Sequence, residues 1–164
     1  MPVNRKNKSE TQRGGTKNKK LRFAHEVIET LNAGIILTGA EIKAVREGKT
    51  TLQDAYAYFK KHELFVTGVH IAPYSHAGFE NHEPLRPKKL LLNKEELRKW
   101  HKKVQEKGLT IVPAKLFISP KGWAKLQIAL TRGKKKYDKR EDIKRRDVKK
   151  QLSRLIKQKN QKTF

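Results

Sequence analysis

Basic residues are concentrated at the two ends of this 164-residue chain, and that distribution limits where a folded core can lie. The formal net charge is +24, of which residues 1–22 carry +7 and residues 132–164 carry +11. Both ends have few apolar side chains, so neither can bury enough surface to fold alone. The segment between them, residues 23–131, carries only +6 and contains both tryptophans. We therefore predict a basic N-terminal arm, one globular domain over 23–131, and a basic C-terminal tail.

The net charge also restricts the class of partner. A field this positive attracts nucleic acid or another polyanion before specific contacts form. The chain has no cysteine, which excludes disulfides, thiolate metal sites and thiol nucleophiles. Long apolar runs, an apolar leader and amphipathic basic helices with aromatic anchors are all missing from the sequence. We expect a cytoplasmic protein with no membrane partner.

Capping signals mark two helices in the middle region. Thr38-Gly-Ala-Glu41 is a capping box and Gly48 offers a left-handed stop, so a helix of about ten residues is expected there. Asn93-Lys-Glu-Glu96 repeats the capping pattern. An apolar stripe at i, i+3 and i+7 starts at Leu97 and ends before Gly108, which predicts a second helix.

The rest of the middle region has the patterns of strands. Residues 124–131 alternate apolar and polar side chains, and residues 109–119 supply a partner strand in which Pro113 predicts an edge or a bulge. A second hairpin is expected around Lys60-Lys-His-Glu63, and the Val- and Ile-rich segment 23–37 opens the sheet. Five or six short antiparallel strands with two to three helices fit a small, mainly β, OB-fold-like barrel. Barrels of this size commonly bind nucleic acid.

Patterns for catalysis or metal binding are weak. The middle region holds a single aspartate, Asp54, so a two-metal nuclease site lacks its carboxylates. His70, His76 and His82 recur every six residues, which matches neither helix nor zinc-finger spacing, and surface loop positions are the favoured interpretation. A phosphate-binding glycine loop is missing as well. The sequence predicts a protein that is not an enzyme and needs neither a cofactor nor a metal.

Three short basic clusters are the positive signal for nucleic acid. They are Asn18-Lys-Lys-Leu-Arg22, Arg86-Pro-Lys-Lys89 and Lys134-Lys-Lys136. Each places three cations within five residues, a spacing that suits successive phosphates. One such cluster alone is typical of a solvated surface, but three at the borders of a small barrel favour nucleic acid.

The C-terminal tail combines helix-favouring and helix-opposing features. Two acid–base pairs have the favourable i, i+4 order, Glu141 with Arg145 and Asp142 with Arg146. A narrow apolar seam runs along the same segment through Val148, Leu152 and Leu155. Like charges repel at the same spacing. We therefore expect residues 132–164 to be disordered in the free protein and helical on an RNA surface. An unspecific basic tail is the alternative.

Four longer strings resemble the bacterial small protein B family (SmpB), proteins that bind transfer-messenger RNA, also called SsrA RNA. The strings are Ala33-Gly-Ile-Ile-Leu-Thr-Gly-Ala-Glu-Ile-Lys43, Pro84-Leu-Arg-Pro-Lys-Lys-Leu-Leu-Leu92, Val104-Gln-Glu-Lys-Gly-Leu-Thr-Ile-Val-Pro113 and Arg132-Gly-Lys-Lys-Lys-Tyr-Asp-Lys-Arg140. They occur in the family's order and spacing, and the resemblance runs from about residue 18 to the end of the tail. It implies an oligonucleotide-binding-type barrel with helices.

The resemblance also implies a role in ribosome rescue. Family members bind the tRNA-like domain of transfer-messenger RNA (tmRNA) and accompany alanyl-tmRNA, with elongation factor Tu, to ribosomes stalled without a codon in the A site. Their tail occupies the empty decoding centre of 16S rRNA and the mRNA channel as a helix. In this process, trans-translation, the nascent peptide is tagged for degradation. We expect a monomer that acts in this way.

Candidate site residues follow from the clusters and from the resemblance. The basic clusters contribute Lys19, Lys20, Arg22 and Arg86 to RNA binding. By motif position the resemblance adds Asn18, Asn32, Gly34, Lys88, Lys89, Leu91, Lys134 and Lys135. It also implies a decoding-site segment in the tail, Tyr137, Asp138, Lys139 and Arg140. Asn32 stands where many relatives have Glu, and its amide can still accept a hydrogen bond from RNA.

Two other classes of function share part of this composition. A structural ribosomal protein or general rRNA-binding module has the same charge but binds ribosomes stoichiometrically. A nuclease or RNA-modifying enzyme needs a carboxylate cluster that the sequence lacks.

Overall fold

A computed structural model describes residues 13–76 and 82–161, with side chains described except at 13–14, 136–138 and 157–161. Within these residues the strands are β1 (Arg13–Lys17), β2 (His25–Ile35), β3 (Thr50–Thr51), β4 (Tyr56–Lys60), β5 (Glu63–Thr67), β6 (His70–Ile71), β7 (Lys88–Leu91), β8 (Thr110–Ile118) and β9 (Ala124–Gly133). The helices are α1 (Leu21–Ala24), α2 (Gly39–Arg46), α3 (Lys94–Lys107) and α4 (Lys136–Gln161). None of the helices in this part of the chain is long and apolar enough to cross a membrane.

Six antiparallel strands form a closed barrel. The large sheet has the order β1-β8-β4-β5-β7-β2-β9, and an additional pairing of β9 with β8 closes it. β1 lies outside this ring and pairs with β8, while β3 and β6 form a separate two-stranded sheet. The predicted mainly β barrel is confirmed. Closure removes most of the exposed strand edges that a sheet of this size would otherwise present.

The predicted irregularity at Pro113 is a bulge. The register between β8 and β9 shifts between Pro113 and Lys115, where proline cannot donate to the ladder. The free edge of β8 is shared, because β4 pairs with it at Ile111 and β1 pairs with it from Lys115 onward. The bulge lets one strand bend between two neighbours.

The β4–β5 hairpin turns through Lys61 and His62, which have φ values of 48° and 64°. Two consecutive left-handed residues are the geometry of the tight hairpin turn that matches strand twist, although asparagine and glycine are its usual residues. The predicted hairpin is confirmed, with a turn of two residues.

Two helices pack against the barrel as their caps predict. Thr38 makes the capping box of α2 with Glu41, and Gly108 ends α3 in the left-handed conformation at φ 57°. The apolar stripe of α3 buries Trp100 completely within the main core cluster. Burial of a large aromatic ring contributes on the order of 3 kcal/mol to the free energy of unfolding.

The boundary predicted at residue 22 for the basic N-terminal arm lies inside the folded unit, and residues 1–12 lie outside the described part. β1 and α1 belong to the folded unit, and Asn18 and Leu21 are buried. Gly15 allows β1 to approach β8 closely. A Cβ on Gly15 would lie 2.9 Å from the Leu116 carbonyl oxygen of β8.

Within the predicted tail, Arg132 and Gly133 end β9 and Lys136–Gln161 forms helix α4, and the structure records only this helical state for those residues. Arg145 and Glu141 form the predicted i, i+4 ion pair at 3.8 Å, whereas the carboxylate of Asp142 pairs elsewhere. The residues of the predicted seam are more than half exposed. Disorder of this segment in the free protein stays a prediction.

Candidate nucleic-acid interface

The predicted RNA-binding residues fall into different environments, and only some of them are exposed. We name three regions. The Glu41 cluster consists of Glu41, Arg86 and Lys88. The Trp123 groove is lined mainly by Gly34, Ile36, Arg46, Leu91, Trp123 and Lys125. The basic edge consists of Arg22, Lys134, Lys135 and Lys139, where β9 leads into α4 next to α1.

The Glu41 cluster is an internal ion-pair network. Glu41 is fully buried on α2. The guanidinium of Arg86 donates from Nε to its Oε1 at 2.8 Å and from Nη2 to its Oε2, and Lys88 Nζ lies 3.7 Å from Oε1. Lys88 is itself fully buried and donates to the carbonyls of Val69 and Arg86 at 3.2 and 3.0 Å. The carboxylate thus satisfies two cations at once.

The electrostatics of this cluster keep Glu41 charged. Burial works to raise the pKa of Glu41, but hydrogen bonds from Arg86 and from the Thr38 amide, with the charge of Lys88, hold that pKa below its ordinary value. Burial lowers the pKa of Lys88, and the Glu41 carboxylate opposes that effect. A paired buried network of this kind is costly to break because one partner removed leaves the others uncompensated.

The predicted phosphate contact of Lys88 is therefore corrected, while that of Arg86, whose side chain is 29% exposed, stays a prediction. Lys88 cannot reach a phosphate, because its inward position on β7 places the ammonium in the core. Arg86 has its bidentate face occupied by Glu41. The basic cluster at 86–89 overlaps the first two residues of strand β7, which sequence reasoning missed. Lys89 points outward from that strand, and its Nζ forms an ion pair with Glu63.

Asn18 also has an internal role. Its side-chain amide donates to the Leu52 and Pro113 carbonyls at 3.0 and 3.1 Å, and its Oδ1 accepts from the Lys20 amide. The Pro113 bond satisfies a carbonyl beside the bulge of β8. With 8% of its surface exposed, Asn18 holds β1 and α1 on the barrel, and its contact with RNA stays a prediction. Lys19 and Lys20 beside it are exposed.

The structure brings together Gly34 and Leu91, which are 57 positions apart in the sequence. They are register partners on β2 and β7. A Cβ on Gly34 would lie 3.3 Å from Leu91 Cβ, so glycine leaves room for the leucine side chain to lie across β2. Leu91 remains 53% exposed. Asn32 is exposed nearby and shares a small cleft with Leu91 and Asn93.

Trp123 is a candidate site residue that sequence reasoning missed. It follows the turn between β8 and β9, and 71% of its surface is exposed. It lines the same groove of about 640 Å³ as Leu91 and Ile36, with Arg46 and Lys125 among the lining residues. An exposed aromatic ring beside aliphatic and cationic side chains can stack on an unpaired base. The signal in the sequence was a tryptophan directly after a Pro-Lys-Gly turn.

The basic edge joins two of the predicted clusters. Lys134 donates its backbone amide to the Ala24 carbonyl at 3.1 Å and its Nζ to the Arg22 carbonyl at 2.8 Å. The same ammonium forms an ion pair with Asp142 in α4. Lys134 therefore fixes the start of the tail helix against α1. The hydrogen bond from Lys134 holds the pKa of Asp142 below its ordinary value.

The predicted decoding-site segment begins helix α4. The side chains of Tyr137 and Asp138 lie outside the described residues. Arg140 is exposed and Lys139 is half-buried. Burial lowers the pKa of His25 on β2, and the nearby charge of Lys139 adds to that effect.

The histidines of the sequence do not gather at a metal site in the part of the chain that the structure describes. No group of three or more His, Cys, Asp or Glu side chains there could hold an ion. The imidazole Nε2 of His82 lies 3.0 Å from the Ile71 carbonyl oxygen.

Comparison with known proteins places this chain among bacterial relatives. A family model described as SmpB protein matches residues 15–158. The SsrA-binding protein of Trichodesmium erythraeum is 49% identical over 154 residues, which cover 93% of this chain and 98% of that protein. The SsrA-binding protein of Syntrophobacter fumaroxidans is 45% identical over 161 residues, which cover 98% and 99%.

A solved structure gives the same result. A chain in "tmRNA-SmpB: a journey to the center of the bacterial ribosome" superposes with a TM-score of 0.64 at 42% identity, covering 74% of this chain and 85% of that chain.

Proposed function

This chain belongs to the SmpB family, and from that premise we propose that it binds tmRNA and acts in trans-translation at stalled ribosomes. The observation that carries the proposal is the match to SsrA-binding proteins over nearly the whole chain, tail included. The proposed role is that of an RNA-binding adaptor, with no chemical step of its own. It is cytoplasmic and monomeric in this proposal.

The Trp123 groove is the surface we propose for the tRNA-like domain of tmRNA. It combines an exposed indole, the outward Leu91 and the space left by Gly34. Proteins recognise RNA loops by stacking unpaired bases on such surfaces, while cations at the border contact phosphates. Asn32 and the outward Lys89 extend this surface, and the exposed Lys19 and Lys20 lie on the α1 side of the barrel.

Helix α4 is the segment we propose for the ribosome. Its 26 residues span about 39 Å, and the described side chains from 143 to 156 are exposed. A cationic helix of this length fits an rRNA-lined channel only when mRNA is missing, so competition for space distinguishes stalled from translating ribosomes. Tyr137, Asp138, Lys139 and Arg140 would then lie at the decoding centre of 16S rRNA. Delivery with elongation factor Tu and alanyl-tmRNA completes the proposal.

Competition binding tests the RNA half of the proposal. The affinity for the tRNA-like domain of tmRNA is compared with that for bulk tRNA at about 0.2 M salt, where counterion release suppresses non-specific binding. We expect a preference of roughly 100-fold, a difference of about 2.7 kcal/mol. Equal and steeply salt-dependent binding to both RNAs would reduce the protein to a general RNA-binding barrel.

Deletion of residues 138–164 tests the ribosome half. RNA affinity is expected to stay nearly unchanged, because the barrel remains intact, while peptide tagging in a reconstituted translation reaction is abolished. An equal loss of both activities would mean that the tail contributes only non-specific attraction. Cell fractionation distinguishes a rescue factor from a structural ribosomal protein. A rescue factor is substoichiometric to ribosomes and enriched on stalled ones, whereas a structural protein is present on every ribosome.

A further inference from the structure

A groove of about 470 Å³ lies between helix α3 and the β4–β5 hairpin, and it shares no lining residue with the Trp123 groove. We name it the α3 groove; its lining residues are Phe59, His62, Lys94, Leu97, Arg98 and His101. Its size falls within the roughly 300–1,000 Å³ typical of small-ligand sites. None of its lining residues is acidic.

The floor of the α3 groove is apolar and aromatic. Phe59 and His101 pack edge to face, with ring centroids 4.6 Å apart and planes at 71°. Leu97 lies beside them, and all three are half-buried. This packing fixes the rings from two elements, a strand and a helix. A planar base can lie on such a surface without ordering new side chains.

The cations on the two sides of α3 differ in whether they form ion pairs. Lys99 and Lys103 form ion pairs with Glu29 on β2, and Lys102 pairs with Glu106 at 3.7 Å. Lys94 and Arg98, which line the groove, are exposed and have no ion-pair partner among the described residues. The fold therefore neutralises the side of α3 that contacts β2 and leaves the groove side positive.

The spacing of these two cations suits successive phosphates. Lys94 and Arg98 are at i and i+4, so their Cβ atoms are about 5–6 Å apart on one face of the helix. His62 at the hairpin tip faces the same groove, and its left-handed backbone belongs to the two-residue turn. Two cations and the His62 imidazole around a floor of Phe59, Leu97 and His101 are complementary to an anionic ligand that carries a flat ring.

We propose that the α3 groove is a second RNA site that binds a single-stranded segment, with phosphates at Lys94 and Arg98 and a base on the floor formed by Phe59 and Leu97. The RNA must be unpaired there, because a base stacked within a duplex has no free face. The inference deepens the proposed function, on which it rests, by giving the barrel a second contact to tmRNA or to ribosomal RNA.

The test uses the full-length chain and the trinucleotide ApApA, monitored through the ring resonances of His62 and His101 by NMR. Site-resolved detection is needed because a chain of net charge +24 attracts RNA at many places. We expect both resonances to shift and saturate together. Shifts no larger than those of the exposed His76 would overturn the proposal.

Two matched double variants distinguish binding at this groove from general attraction by the net positive charge. Lys94→Ala with Arg98→Ala should weaken this site roughly 10-fold at 0.1 M salt and reduce its log–log salt slope by about 1.4, the value for two single-strand phosphate contacts. Lys99→Ala with Lys102→Ala removes the same charge from the same helix and should change the affinity less than about twofold. Equal weakening by both pairs would overturn the proposal, and so would equal affinity for inorganic pyrophosphate, which has no base.

A final arm identifies the source of the RNA and keeps the two proposals separable. If a bound tRNA-like domain of tmRNA abolishes the trinucleotide shifts, the groove belongs to the tmRNA interface. If the shifts persist and added small ribosomal subunits abolish them, the groove takes ribosomal RNA. Both results support the site. Failure of the tmRNA preference, with the histidine shifts intact, would overturn the proposed function alone.

Discussion

The cations at 86–89 and those at 134–140 look alike in the sequence and differ completely in the fold. The first run lies on and beside β7, and two of its three cations are held by the buried Glu41. The second run leads from β9 into α4, where the Lys134 ammonium contacts both the Arg22 carbonyl of α1 and the Asp142 carboxylate of α4. A dense run of cations in a sequence therefore indicates positive charge, but not whether those side chains are free to contact a ligand. The deciding factor is whether a buried carboxylate, such as that of Glu41, lies close enough to pair with them.

The largest expected effect comes from removing that carboxylate. Glu41→Ala leaves Arg86 and the buried Lys88 without their counter-charge and should lower the free energy of unfolding by about 3–5 kcal/mol. Urea denaturation measures the loss. Glu47→Ala, at an exposed residue beside the same helix that pairs with Lys49, should change stability by less than about 0.5 kcal/mol. Similar losses in both variants would mean that the Glu41 cluster is not a special feature.

The next effect concerns affinity and leaves the fold intact. Leu91→Asp places a carboxylate in the Trp123 groove, where it repels phosphates and removes an apolar contact. We expect the affinity for the tRNA-like domain of tmRNA to fall on the order of 10-fold, about 1.4 kcal/mol. Leu85→Asp is the control, since Leu85 is exposed to a similar extent, 51% against 53%, and lies outside the groove. Unchanged affinity of the Leu91→Asp variant would show that the Trp123 groove is not the interface for the tRNA-like domain.

A smaller effect should separate the tail from the barrel. Asp142→Asn removes the charge partner of Lys134, so the start of α4 is no longer fixed against α1. Peptide tagging should fall a few-fold, while RNA affinity stays within about twofold. Asp147→Asn, further along the same exposed helix, is the control for lost charge. A fall in affinity without a fall in tagging would contradict the anchoring role.

The smallest effect is the pH dependence of the Glu41 cluster. A carboxyl whose folded-state pKa is depressed stabilises the fold above its unfolded-state pKa, and this contribution is lost as the pH falls through the folded-state value. The pKa of Glu41 is lowered from 4.5. The stability difference between the unmodified chain and Glu41→Gln should therefore be constant above pH 5 and shrink below it. Urea midpoints at pH 7 and at pH 3 check this, and a difference that grows in acid would contradict it.

The elements predicted correctly are those with signals in neighbouring residues. The capping boxes at Thr38 and Asn93 give the two helix starts because capping needs only residues three positions apart. Pro113 marks the bulge of β8 because the missing amide is a property of the residue itself. These features depend on local geometry, so the sequence displays them directly.

The elements predicted wrongly depend on distant partners. β7 was missed because its inward positions are Lys88 and Leu90, and a buried lysine breaks the alternation that marks a strand. β1 was missed because glycine and charged residues form it only where β8 offers a free edge beyond the bulge. The groove that contains Trp123 is equally non-local, since residues of β2, β7 and α2 line it together with the indole.

By itself the sequence determined the segregation of charge, the helix caps, the hairpins and the membership in a family of RNA-binding proteins. Only the tertiary structure decided that the barrel closes. It also decided which cations pair with Glu41 and which are exposed to solvent. The physical reason is the cost of an unpaired buried charge, several kcal/mol per ion. Lys88 can occupy the core only because α2 brings a carboxylate to it from 47 residues away, whereas the exposed cations of α4 remain available for RNA.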